Sequence, residues 1–210
     1  MSVILFDMDG VIIDSEIVYM ERLKKFLRYK GLNLSIEQLN LLIGSNTRKD
    51  RALYKEWFGD NFNYDKFIND QNEYFNKTPI NYKQIIMKHA FEVIVALKNR
   101  DHSLSLVSSS SPNYIEEVVS SLNIKQYFDY LISGDSFLES KPNPAIYNYA
   151  KSKYECNKNI YVVEDSTYGI EAAKRASLPV IALKDRHFGM DQSRADYIIE
   201  DLIEILDIVD

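Results

Sequence analysis

The chain has 210 residues, of which 46% are hydrophobic and 27% charged, with only 7 Gly and 5 Pro. That balance excludes collagen-like and low-complexity chains and provides for one sizeable core with room for an insertion. A net charge of -6 has the wrong sign for a surface that tracks a nucleic-acid backbone, so no nucleic-acid partner is expected.

The first apolar run, Val3 to Phe6, reads as a buried strand. No basic segment precedes it and Asp7 interrupts it, so it does not read as a signal peptide. No apolar run approaches the roughly 18 residues of a membrane span. The single cysteine, Cys156, makes no internal disulfide or multi-cysteine zinc site. These features predict a cytoplasmic protein with no membrane partner. Asp7-Met8-Asp9-Gly10 follows the run directly. In extended chain, residues two apart point the same way, so Asp7 and Asp9 can face one site, and Gly10 frees the backbone to turn. One such carboxylate can attack phosphorus; the other can protonate the leaving oxygen and then activate water. Taken alone, the pair reads equally well as acids in a strand-to-loop turn.

From residue 15 to 79 no strand-like run occurs. Met20, Leu23, Phe26 and Leu27 make one helix stripe that Gly31 can stop, and Ser35-Ile36-Glu37-Gln38 is a capping-box pattern ahead of Leu39 and Leu42. A third helix starts near Thr47 and carries Leu53 and Trp57, and a fourth fits Asp65 to Asn76. The block predicts an inserted α-helical cap domain, residues 15–79, within a core domain made of 1–14 and 80–210. The cap tyrosines and Trp57 read as its core.

Beyond the block, Ile85, Ile86, Ala90, Val93, Ile94 and Leu97 keep the spacing of one helix face. Leu104 to Val107 is a second strand, ending at Ser108-Ser109, where a hydroxyl and an amide suit a phosphate oxygen or simply precede the helix capped by Ser111-Pro112. Tyr130 to Ile132 is a third strand. Lys141, in Lys141-Pro142-Asn143-Pro144, is a solvated charge or a cation that a stiff loop brings to the carboxylates. Ile160 to Val163 ends in Glu164-Asp165, which with Asp7 make an all-oxygen pocket suited to Mg²⁺; either acid can instead cap the next helix, where Gly169 allows close approach. Val180 to Leu183 and Tyr197 to Ile199 complete the strands, and Asp201 to Asp210 reads as an amphipathic helix. His89, His102 and His187 lack metal-ligand spacing. The alternation predicts an α/β fold, a Rossmann-like, mostly parallel sheet flanked by helices.

Together these residues resemble the motifs of the haloacid dehalogenase superfamily, over essentially the whole chain. Asp7-Met8-Asp9-Gly10 matches the D-x-D-G motif, Ser108 the motif II hydroxyl, Lys141 the motif III lysine and Glu164-Asp165 the motif IV acids. Asp9 to Glu16 is similar to the opening of the subgroup that contains β-phosphoglucomutase and small-molecule phosphatases, in which a helical cap lies between motifs I and II. The resemblance implies that Asp7 is a nucleophile that becomes phosphorylated and Asp9 the general acid/base. It implies Mg²⁺ held by Asp7, the Asp9 backbone carbonyl and Asp165, with Glu164 as ligand or supporting acid. Ser108, the Ser109 amide and Lys141 would bind phosphoryl oxygens, and the cap would close over the substrate and set specificity. His89-Ala90 stands where many relatives carry Pro-Gly. Arg48, in Gly44-Ser45-Asn46-Thr47-Arg48, falls one residue from the arginine that grips a second phosphate in the mutase, and Tyr19 aligns with a cap histidine of the mutase.

The expected activity is a Mg²⁺-dependent phosphatase for a small phosphorylated metabolite, such as a sugar phosphate, in a monomer or weak homodimer. One alternative is a β-phosphoglucomutase-type sugar phosphomutase, which Tyr19 weighs against. Another is a signalling receiver domain with Asp135 as acceptor, which the D-x-D-G pattern and the size of the insertion disfavour.

Overall fold

The structure, a computed structural model, describes residues 1–42, 47–155 and 158–209, leaving aside the side chains of Asn40, Thr47 and Arg48. Cys156 lies outside the described residues. The chain forms two compact units, Met1–Ser15 with Tyr82–Asp210, and Glu16–Asn81.

β1 (Val3–Phe6) is buried along its whole length. It leads into α1 (Ser15–Tyr29), α2 (Ile36–Asn40), α3 (Thr47–Phe58) and α4 (Tyr64–Asn76). The capping box at Ser35 forms, with the Ser35 hydroxyl accepting from the Gln38 N–H and the Gln38 side chain accepting from the Ser35 N–H. The helical unit fills with aromatic rings because its apolar stripes are rich in them. Phe26, Tyr54 and Phe67 are buried together, with Trp57, Phe58, Phe62, Tyr74 and Phe75 packed around them.

The other unit continues with α5 (Ala90–Asn99), β2 (Ser103–Ser108), α6 (Pro112–Ser121), β3 (Tyr130–Ser133), α7 (Ala145–Lys151), β4 (Ile160–Glu164), α8 (Thr167–Arg175), β5 (Val180–Leu183), β6 (Tyr197–Ile199) and α9 (Ile205–Ile208). The strands form one sheet in the order β3-β2-β1-β4-β5-β6, with every neighbouring pair parallel. Continuous Val, Ile and Leu runs suit strands covered on both faces. The chain winds outward from β1 in both directions, so the carboxyl ends of β1, β2 and β4 adjoin where the strand order reverses. Open α/β sheets hold their ligands at that point.

Two expectations change. The stripe from Ile85 to Leu97 is not one helix: Ile86 makes an antiparallel bridge with Ile13, and α5 starts only at Ala90. The break is His89, in left-handed backbone with φ 60°, a conformation that costs a residue with a side chain roughly 1–3 kcal/mol unless its surroundings hold it. Asp201 supplies the hold, 2.7 Å from His89 Nδ1 and 2.8 Å from Lys88 Nζ. The position that asks for glycine is thus His89 itself and not Ala90. At the C-terminus, the single amphipathic helix is instead a short 3₁₀ turn over Leu202–Glu204 followed by α9.

Candidate active site

Asp7 follows β1, Ser108 ends β2 and Glu164 ends β4, and all three are buried. From the loop before α7, Lys141 reaches this point. Its Nζ donates to Asp7 Oδ1 at 2.6 Å, to Glu164 Oε1 at 2.6 Å and to the Val107 carbonyl at 3.3 Å. Burial works against the charge on this amine, but Asp7 and Glu164 outweigh it and hold Lys141 protonated well above the ordinary lysine range. Burial pushes the Asp7 carboxyl up to about 8, and Glu164 and Asp9 add to that rise against the pull of Lys141. The pocket therefore crowds together more carboxyl groups than one ammonium can keep ionised.

Glu164 is enclosed on all sides. Oε1 accepts from Lys141 and, at 2.7 Å, from the buried Tyr147 hydroxyl. Oε2 accepts from the Asp165 N–H, the Ser166 N–H and the Ser166 hydroxyl, at 3.2, 3.4 and 3.1 Å. A Cβ at Gly169 would coincide with this carboxylate, so glycine makes the room for it beneath the first turn of α8. Gly10 does the same for Asp165, whose carboxylate fills the place of a Gly10 Cβ. Tyr147 also lies under Lys141, its ring centroid 5.0 Å from Nζ. Sequence reasoning missed this residue. It belongs to the apolar face of α7 with Ile146 and Ala150, and nothing in that pattern separates a hydroxyl aimed at a carboxylate from an ordinary core aromatic.

Asp9 accepts from two hydroxyls, Ser15 Oγ at Oδ1 and Ser110 Oγ at Oδ2, the latter at 2.8 Å. Ser110 also donates its N–H to Ser108 Oγ at 3.0 Å and accepts at its carbonyl from Ser133 Oγ at 2.7 Å. The next residue, Gly134, lets the loop pack closely, since its Cβ would stand 2.9 Å from Ser109 Cα.

The sequence model of the haloacid dehalogenase-like hydrolase family matches residues 4–183. The chain belongs to that family. Among curated relatives, it is 26% identical to a phosphoglycolate phosphatase of Aquifex aeolicus, over 99% of this chain and 97% of that one. It is also 26% identical to a phosphorylated carbohydrates phosphatase of Thermotoga maritima, over 85% of this chain and 82% of that one. The crystal structure of β-phosphoglucomutase from Clostridium difficile superposes with a TM-score of 0.71 at 18% identity, over 98% of this chain and 93% of that chain. This last likeness speaks for the fold alone.

Family membership replaces the receiver-domain alternative. Asp135 lies in a 3₁₀ turn beyond the edge strand β3, where its N–H bonds to Ser133 Oγ, while Lys141 serves Asp7. Members of the family generally use a divalent metal, and the residues here fit one. Asp7, Glu164 and Asp165 each offer a carboxylate oxygen, all within 4.8 Å of one another. Hard oxygen donors, in carboxyl groups that a bound cation would help to ionise, suit a cation such as Mg²⁺. Residues 44–46 and the Arg48 side chain lie outside the described residues. Tyr19 packs edge-on against Phe75 in the helical unit, centroids 5.9 Å apart. Of the histidines besides His89, His102 accepts the Ser2 N–H at Nδ1, 3.1 Å away, and His187 donates its backbone N–H to Asp185 Oδ1 at 2.9 Å. Among the described residues, no helix is long and apolar enough to cross a membrane.

Proposed function

We propose that this hydrolase is a Mg²⁺-dependent phosphatase that removes phosphate from a small phosphorylated metabolite, such as a sugar phosphate or phosphoglycolate, through an aspartyl-phosphate. The observation that carries the reading is the buried Lys141 bridging Asp7 and Glu164 at the carboxyl end of the sheet, in a family whose relatives include phosphatases of phosphoglycolate and phosphorylated carbohydrates.

Asp7, the Asp9 backbone carbonyl and Asp165 would hold Mg²⁺, which when bound offsets the negative charge of the carboxylates and phosphoryl oxygens. Glu164, with both oxygens taken by five donors, anchors Lys141. Lys141, Ser108 and the Ser109 amide orient the phosphoryl group. An Asp7 oxygen forms a bond to phosphorus as the ester P–O bond breaks, and Asp9 gives its proton to the departing alkoxide. Asp9 then takes a proton from water as that water attacks phosphorus. Asp7 is released as carboxylate and inorganic phosphate leaves. The helical unit acts as the cap that selects the substrate, and the enzyme works in the cytoplasm as a monomer or weak homodimer.

The test is phosphate release from a panel of phosphorylated sugars, phosphoglycolate, nucleotides and other small acids, with Mg²⁺ and with EDTA. The panel includes β-glucose 1-phosphate with product analysis. Mg²⁺-dependent release that Asp7→Asn reduces to background, with the circular dichroism unchanged, supports the reading. Isomerisation without net release would replace it by a phosphomutase, and an Asp7→Asn variant that keeps wild-type activity would remove Asp7 from the chemistry.

A further inference from the structure

We infer that Ser110 is the positioning residue for the general acid/base Asp9, an inference that rests on the phosphatase reading. Asp9 must do two opposite things in one turnover, give a proton to the leaving oxygen and then take one from water. A hydroxyl can follow both states with a single atom, because the same oxygen donates to a carboxylate and accepts from a carboxylic acid. Ser110 Oγ stands 2.8 Å from Asp9 Oδ2.

Ser110 is also held through its own backbone. Its own N–H is bound by Ser108 Oγ and its carbonyl by Ser133 Oγ, so the residue is tied to the ends of both β2 and β3. The half-buried Ser110 hydroxyl therefore faces Asp9 from a rigid base. Ser15, the other partner of Asp9, opens α1 and sits at the boundary of the two units. It is thus the last residue before the helical unit, whereas Ser110 belongs to the sheet's own end. Nothing in the run Ser108 to Ser111 distinguishes Ser110 by type; only the fold directs its hydroxyl to the acid.

Positioning of a general acid has a signature that general damage to the loop lacks. A p-nitrophenolate departs with little need of a proton, whereas an alkoxide departs badly without one. The value of kcat/KM reports the steps through leaving-group departure. It is to be measured for wild type, Ser110→Ala and Ser110→Thr with p-nitrophenyl phosphate and with phosphoglycolate, or with the alkyl phosphate that the panel shows is turned over fastest. Ser110→Ala is expected to lower kcat/KM for the alkyl ester about tenfold more than for p-nitrophenyl phosphate, with kcat falling more than KM rises, and Ser110→Thr to restore most of the difference. Ser133→Ala, which loosens the same loop without touching the bond to Asp9, is expected to affect both esters alike. Equal losses in the two esters for Ser110→Ala, or no loss at all, would overturn the inference while leaving the phosphatase reading intact. A wild type that releases phosphate from neither ester overturns the phosphatase reading and the inference with it.

Discussion

Replacing Gly169 by alanine tests the packing beneath the site more sharply than removing a charged group does. The added Cβ would fall on the Glu164 carboxylate, and that carboxylate has nowhere to go, being fully buried and bound by Lys141, Tyr147, the Asp165 and Ser166 amides and the Ser166 hydroxyl. By intrinsic propensity alone, glycine to alanine in a helix gains up to about 1 kcal/mol. Forcing an extra carbon into a filled interior costs about 1–3 kcal/mol, and each charge-assisted hydrogen bond lost from Glu164 costs a further ~1.5–3 kcal/mol. If one of these bonds breaks, the net destabilisation is about 2–5 kcal/mol. In a chain of this length, that is a fall in Tm of roughly 4–20 °C, at about 2–4 °C per kcal/mol. Moving Glu164 also removes one of the three partners that fix Lys141, so phosphate release should fall at least tenfold in the fraction that remains folded. Thermal unfolding followed by circular dichroism, together with phosphate release at a temperature where the variant is folded, gives both numbers. A Gly169→Ala protein with wild-type or higher Tm and full activity would refute the idea that Glu164 is pinned beneath α8.

Three further outcomes are expected. Asp165→Asn should raise the Mg²⁺ concentration for half-maximal activity about tenfold or more with little change in Tm, and an unchanged Mg²⁺ titration would move the cation elsewhere. Tyr147→Phe keeps the ring under Lys141 but strips one donor from a buried carboxylate, so it should cost about 1–3 kcal/mol in denaturant unfolding and lower kcat several-fold with KM nearly unchanged. Burial works against the charge on Asp201, yet Lys88 and His89 hold its carboxyl far below the ordinary value of 3.8. A depressed carboxylate contributes stability that is fully present above its unfolded pKa and is lost as pH falls through the folded value. Asp201→Asn should therefore lower Tm at pH 7 and flatten its decline below about pH 4; parallel pH curves for the two proteins would show that the contact with Lys88 and His89 contributes nothing.

What could be read from the chain by itself was whatever depends on neighbours in sequence. Continuous apolar runs such as Val3 to Phe6 mark strands buried on both faces, and the pattern at Ser35 to Gln38 marks a helix start, because strand burial and capping are settled within a few residues. The acids after β1 and β4 were legible because a ligand site at strand ends concentrates charge just where an apolar run stops. Tertiary structure decided the rest. His89 interrupts what the apolar spacing makes a single helix, where the distant Asp201 holds its left-handed backbone. Tyr147 and Ser110 look like a core aromatic and one serine among four. They acquire partners from Glu164 and Asp9, which lie 17 and 101 residues away along the chain. Gly169 and Gly10 matter for the carboxylates that occupy their missing side chains, and that space exists only once β1, β4 and α8 are packed. Helix and strand patterns repeat over a few residues, whereas a hydrogen bond between distant residues leaves no period in the sequence.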